Sequence, residues 1–457
     1  MYGWDGAKQE DGPEETSMDD MTFARPVVGA QPSNRRFMIM GMLFVTVVIN
    51  YLDRANLSIA APGITAEFHL TPVQLGMVFS AFGWFYTGMQ LPGGWLVDRI
   101  RPGILYPATI FLWSLATVSM GLVSGLVVLI ALRAAVGFTE APSFLMNNRI
   151  ATTWFGERER ATCVAVYSSA MFVGLAFLTP LLTWLRVAFG WQMVFLFTGV
   201  LGIGWAVAFA LLYREPTRLR GVNQAEIDLI RDSGGIPDLT DRIAGRRRDK
   251  KPSFLWQDLK IVLGRRKLWG VYFGHYATAT MSSFFLTWFP TYLVTYRHLD
   301  FIKAGFYGAI PFLGAFIGVL WSGTLSDWLF RRGFSLSFAR KAPLITGLVL
   351  STTIFGANFV DSPALIIMFL SLAFFGDGMA TIHWALVSTT APERLIGLAS
   401  GIFNGVGGIA GITGPIIIGF LLRGGNFALP LTFISCIAMA GVLSYIFVLG
   451  KLERVVE

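Results

Sequence analysis

The sequence predicts an all-α membrane protein of twelve transmembrane helices arranged as two six-helix halves. Three observations predict it. Of 457 residues, 54% are hydrophobic and only 14% charged, with a mean hydropathy of +0.60, a composition that suits lipid rather than water. Apolar stretches near twenty residues long recur from Phe37 to Gly450, and each can cross a hydrocarbon core of about 30 Å as a helix. Finally, a short motif recurs at matching places in the first and second halves. A soluble fold would need a larger core than a chain of this length encloses.

Residues 1–34 are polar and acidic (Asp11, Glu14, Glu15, Asp19, Asp20) and lack the apolar centre of a cleaved signal peptide, so they read as a disordered cytoplasmic tail. The N-terminal half, 35–213, holds spans near 37–60, 73–97, 104–122, 126–148, 161–184 and 192–213. A polar cytoplasmic linker, 214–267, follows, with a short amphipathic helix from Asn223 and the basic run Arg246 to Lys251. The C-terminal half, 268–450, holds spans near 268–294, 304–329, 341–360, 363–388, 395–422 and 427–449, and residues 451–457 form a second cytoplasmic tail.

The formal charge of +8 raises the question of a nucleic-acid partner, and the placement of the charge excludes one. Of 36 Lys and Arg, four lie in the N-terminal tail and two in spans (Arg54, Arg133). Four lie in loops on one side (Arg186, Arg297, Lys303, Arg423), and 26 lie on the other. This is the positive-inside asymmetry, and it places both termini in the cytoplasm. Cys163 and Cys436 lie in apolar spans without CxxC spacing, so neither a disulfide nor a metal site is expected. No dinucleotide fingerprint, phosphate loop or Ser-His-Asp order marks an enzyme, and no cofactor is expected.

The repeated motif is Gly93-Gly-Trp-Leu-Val-Asp98-Arg99-Ile-Arg101-Pro-Gly103 after the second span and Ser322-Gly-Thr-Leu-Ser-Asp327-Trp-Leu-Phe-Arg331-Arg332-Gly333 after the eighth. Duplicated transporter halves require such matching. The pattern resembles the loop motif of the major facilitator superfamily, and the resemblance runs over residues 35–450. An Asp at a helix end beside an Arg of a neighbouring loop can latch the halves together, which gives Asp98, Arg99, Asp327 and Arg331 a gating role. A basic loop that only holds orientation is the alternative. In the eleventh span, Gly411-Ile-Thr-Gly414-Pro415-Ile-Ile-Ile-Gly419 reads as a packing and bending element without chemistry.

Charges inside spans are costly and therefore informative. Four stand out: Asp53 and Arg54 in the first span, Arg133 and Glu140 in the fourth. Neighbouring residues point about 100° apart on a helix, so Asp53 and Arg54 need not pair, whereas Arg133, Gly137 and Glu140 share one face. An Arg that moves competes with a proton for a carboxylate. Asp53 and Glu140 are accordingly candidate proton carriers, and Arg54 and Arg133 the fixed charges that compete with the proton or hold a substrate carboxylate. A buried ion pair that only fixes helix packing is the alternative.

Around these residues, Tyr51-Leu-Asp53-Arg54-Ala-Asn56-Leu, Phe79-Ser-Ala-Phe-Gly-Trp84-Phe-Tyr86, Gly137-Phe-Thr-Glu140-Ala-Pro, Phe285-Leu-Thr-Trp-Phe-Pro290 and Ile402-Phe-Asn404 resemble the anion:cation symporter family, and within it the bacterial D-galactonate/proton symporters. The resemblance implies proton-coupled uptake of a sugar acid by a monomer in the bacterial inner membrane. Asp53 and Glu140 would be protonatable, with Arg133 coupled to them, and Tyr51, Arg54, Tyr86, Trp384 and Asn404 would line the sugar acid site. Three positions depart from the pattern. Met171 replaces an amide, His275 a Gln and His383 a small hydroxyl residue, so the site is expected to be reshaped, with a hexuronate or aldarate as the alternative to an aldonate. A proton-independent anion exchanger and a solute sensor signalling through the linker are the competing functions.

Overall fold

The computed structural model describes residues 31–238, 256–392, 395–422 and 426–453, so most of the N-terminal tail and the basic run at 246–251 lie outside the described residues. The described chain is helical throughout, and twelve spans can be followed. They are Arg35–Phe68, Pro72–Arg99 interrupted at Met89, Pro102–Met120, Leu126–Trp154, Glu157–Phe189, Trp191–Leu212, Arg266–Tyr296, Phe301–Arg331, Leu336–Phe359, Pro363–Thr390, Ile396–Leu421 and Ala428–Val448. Ten are long and apolar enough to cross a membrane by composition. Of the other two, the second breaks at Met89, and the seventh carries His275, Thr278, Thr280, Ser282 and Ser283.

Besides the second, two further spans break along their length. Pro142 cannot donate a backbone N–H, and the fourth span stops at Glu140 and restarts at Ser143. The tenth stops at Ala380 and restarts at His383. These are equivalent spans of the two halves.

The start of the first span is tied to the linker helix Gln224–Asp232. Glu226 accepts from Ser33 Oγ (2.5 Å), Arg35 N (3.1 Å) and Arg36 N (3.0 Å), satisfying backbone donors that a helix N-terminus leaves open. Burial opposes ionisation of Glu226, but the Ser33 hydroxyl and these N–H groups outweigh it and hold the carboxyl below its usual range.

The halves meet at the end away from the linker. A Cβ on Gly76 would lie 2.6 Å from Pro415 O, and one on Gly419 2.6 Å from Pro72 O, so the second and eleventh spans approach backbone to backbone. Gly305 packs on Thr183, and Ala55, Ser58, Phe285, Phe289, Gly308 and Phe312 line a narrow apolar cavity there. On the linker side, segments Gln90–Arg99, Ser143–Trp154 and His383–Thr390 pack within their own halves. The molecule is thus closed at one end.

Candidate transport site

Asp53 and Arg54 are neighbours in the first span, yet their side chains diverge, as the helical 100° step requires. Asp53 turns to the third and sixth spans. Trp113 Nε1 donates to its Oδ2 at 3.1 Å, and Asn56, itself bonded to Thr198 (3.1 Å), reaches Oδ1 at 3.4 Å. Arg54 turns to the fourth span, where its Nε and Nη2 both lie 2.6 Å from Glu140 Oε1. Glu140 is fully buried, and the break just after it lets its side chain end the helical face that carries Arg133 and Gly137. A second ion pair between described spans, Arg36 with Glu159 at 3.0 Å, lies at their linker-side ends rather than mid-span.

Aromatic rings surround the Arg54 guanidinium: Tyr51, Phe82 and Tyr86 have their centroids 4.9, 5.0 and 4.9 Å from its central carbon. Such faces stabilise a cation that has left water. Arg133 shares the Phe82 ring at 5.0 Å but touches no carboxylate among the described residues. It donates instead to the main-chain oxygens of Asp53 (3.0 Å) and Arg54 (3.4 Å), which makes it a brace of the first span. Gly137 permits this closeness, since a Cβ there would collide with the Phe82 carbonyl. Asn50 faces Glu140 beside the ion pair, and its amide atoms and Glu140 Oε2 are buried without a hydrogen bond of good geometry.

Tyr51, Asp53, Arg54, Tyr86, Arg133 and Glu140 therefore converge in one N-terminal cluster. His275, His383 and Trp384 form a second, in the C-terminal half, around Phe403. His275 stacks on Phe403 at 3.9 Å and lies 4.7 Å from His383. Its ring fills the space above Gly407, where a Cβ would collide with it. At the tenth-span break, Trp384 N bonds to Thr381 O, which frees Ala380 O, and His383 Nδ1 donates to that carbonyl at 2.5 Å. Both rings are covered, His383 to 2% exposure, while Nδ1 of His275 and Nε2 of His383 have no partner. Trp384 and Asn404 are exposed, and Met171 is half-buried against the core of the N-terminal half.

Arg99 lies over Trp95 at 3.8 Å. Arg331 donates to the main-chain oxygen of Asp327 at 3.3 Å, and Asp327 is exposed. The side chain of Asp98 lies outside the described residues.

Phe82, Trp113 and Asp377 are absent from the sequence-derived set. Trp113 and Phe82 act through tertiary contact that no spacing announces. Asp377, buried mid-span in the tenth helix, does carry a signal, because the rule that flags Asp53 applies to it equally.

The model of the Major Facilitator Superfamily matches residues 43–415. The chain is 49% identical to a D-galactonate transporter of Escherichia coli O6:H1, covering 94% of this chain and 99% of that protein. It is 40% identical to a probable galactarate/D-glucarate transporter of Bacillus subtilis, over 95% and 96% of the two chains. Among solved structures it is similar to a D-xylose-proton symporter (TM-score 0.69, 14% identity, 92% and 99% covered). It is also similar to a bacterial homolog of the lysosomal transporter Spinster in an inward-facing, occupied conformation (TM-score 0.68, 17% identity, 91% and 97% covered). A fold of twelve spans in two broken-helix halves, with paired charges held between spans, agrees with these matches: the chain belongs to the major facilitator superfamily.

Proposed function

We propose that this multi-pass membrane protein is a proton-coupled symporter that takes up a sugar acid anion, an aldonate such as D-galactonate or a related aldarate, across a bacterial inner membrane. Both termini and the linker face the cytoplasm in this reading, the chain works as a monomer, and the conformation closed away from the linker is the inward-facing one. The observation that carries it is the buried Arg54–Glu140 pair at 2.6 Å, beside the Asn50 amide and a second buried carboxyl, Asp53.

The pair works by exchange. While Glu140 is ionised it occupies the Arg54 fork; once protonated it releases a planar donor set that grips a carboxylate with two bonds. A proton and a carboxylate thus bind together, which is symport. Asp53, on the opposite side of the first span, is a second proton site linked to the first through Arg133, which holds the main-chain oxygens of both Asp53 and Arg54. Tyr51, Tyr86 and Asn404 supply hydroxyl and amide partners for a polyol chain, and Trp384 a flat exposed face for its CH groups. Met171, His275 and His383 shape the remaining wall. When the site faces outward, Asp98 with Arg99 and Asp327 with Arg331 would join the halves on the linker side.

Uptake of D-galactonate, galactarate and D-glucarate into proteoliposomes under an imposed proton gradient tests the reading. Accumulation of at least one above equilibrium, abolished by a protonophore, is expected; equilibration without accumulation would favour a uniporter or exchanger.

A further inference from the structure

The tenth span holds a carboxyl group that this scheme leaves unused. Asp377 sits between Gly376 and Gly378, whose absent side chains let the backbone of the ninth span (Gly347 O) and of the eighth (Ala315 O) come close on either side. Only the seventh span is left for the carboxyl to face. There Ser282 Oγ donates to Oδ2 at 2.7 Å, while Oδ1 is buried with no partner and the residue is 4% exposed.

No Lys or Arg lies within ion-pair distance of Asp377 among the described residues. The charged residues of the packed spans (Arg266, Lys267, Lys303, Asp327, Arg331, Arg340 and Lys341) stand at or near span ends. The titratable groups facing the same seam are the imidazoles of His275 and His383. Away from the linker the seam is sealed by Phe285 stacked on Phe374 at 4.0 Å. An ionised carboxyl has about four acceptor positions and here meets one hydroxyl, so this environment suits the neutral acid.

The duplication gives an independent argument. The fourth and tenth spans are equivalent, and both are interrupted: the fourth directly after Glu140, the tenth one turn after Asp377. Interrupted helices at corresponding positions of two halves are where repeat-built transporters place coupling ions. The break also supplies a hinge, since a chain without its regular hydrogen-bond ladder bends there.

We propose that Asp377 is a third proton-carrying carboxyl of the transport cycle, held as the acid in the conformation described and discharged when the seam between the seventh and tenth spans parts. In that step the O–H bond breaks, water on the linker side takes the proton, and the carboxylate keeps Ser282 as its donor; the O–H bond forms again with a proton from water on the opposite side, in the outward-facing state. The inference rests on the symport reading above and extends it by giving the C-terminal half a proton of its own.

Two measurements on the full chain test it. The first is the number of protons per D-galactonate, from the membrane potential that just halts uptake in proteoliposomes, for the parent, Asp377→Asn and Asp377→Glu. One proton fewer is expected for Asn, and the parental value for Glu. The second is infrared difference spectroscopy of purified protein without substrate, in which a protonated-carboxyl band that titrates reversibly with pH should be lost in Asp377→Asn and shifted in Asp377→Glu. Unchanged spectra would overturn the proposal. So would a lost band with unchanged stoichiometry, because the proton would then be static. If the parent carries none of D-galactonate, galactarate and D-glucarate, the symport reading fails, and the infrared titration alone decides whether Asp377 exchanges a proton; if it carries only an aldarate, the stoichiometry is measured with that anion. Should Asp377→Asn not fold, Asp377→Glu decides: a titrating, shifted band supports the proposal, and a band that stays in place opposes it.

Discussion

Replacing Glu140 by Gln keeps the shape and one acceptor oxygen for Arg54 but removes the charge that neutralises it. Glu140 is fully buried and the Arg54 side chain 14% exposed, so the variant leaves a largely desolvated cation without its counter-charge. Breaking such a pair costs about 3–5 kcal/mol. A bound carboxylate can return part of that by taking the vacated place, and each 1.4 kcal/mol returned tightens binding about tenfold. In the parent, anion affinity should fall as pH rises from 5.5 to 8, because ionised Glu140 competes for Arg54. In Glu140→Gln the affinity at pH 8 should equal or exceed that of the parent and its pH dependence should flatten, while proton-driven accumulation disappears. Titration calorimetry of purified protein with D-galactonate, together with gradient-driven uptake, reads both. A variant that binds about tenfold more weakly throughout, or keeps the parental pH slope, would refute competition between Glu140 and substrate for Arg54.

Arg54→Lys should reduce uptake nearly as far as Arg54→Ala, since a point charge loses both the bidentate grip and the contacts with Tyr51, Phe82 and Tyr86; wild-type uptake in the Lys variant would demote the fork. Gly137→Ala should lower thermal stability by about 1–3 kcal/mol, because the new methyl group meets the Phe82 carbonyl; an unchanged unfolding temperature in detergent would contradict the close approach of the second and fourth spans. Glu226→Gln should loosen the start of the first span by roughly 0.5–2 kcal/mol, the size of a lost helix cap. Because the folded carboxyl lies below its ordinary value, the parental contribution is complete above that ordinary value and fades as acid titrates the folded group. Hydrogen exchange at Arg35 and Arg36 should therefore differ between parent and variant at pH 7 and converge in acid, and equal exchange at pH 7 would contradict the capping role.

The twelve spans were legible because hydropathy reports the solvent of each segment. Their ends were not. The first span, expected at 37–60, runs Arg35–Phe68, since hydropathy marks the hydrocarbon core while the helix continues beyond it. The break in the fourth span has a sequence cause in Pro142. The break in the tenth has none that local composition shows, although His383 answers it by donating to Ala380 O. Among candidate site residues, those whose charge is anomalous in lipid could be named from sequence, as Asp53, Arg54, Arg133 and Glu140 were. Their partners could not, because Trp113 reaches Asp53 across 60 residues of chain. The divergence of Asp53 from Arg54 followed from helix geometry, but the role of Arg133 as a clasp on two main-chain oxygens did not. Asp377 was legible by the same rule as Asp53, yet it was not among the four charges singled out.

The most direct test of the account is alkalinisation of the medium when D-galactonate is added to lightly buffered, energised vesicles containing the parent, Asp53→Asn or Glu140→Gln. A symporter removes protons with its substrate, so the parent should raise external pH, and both variants, whose amides carry no proton, should lose accumulation and that signal together. Uptake in the parent without a pH change, or parental alkalinisation in both variants, would contradict proton coupling through these two carboxyl groups.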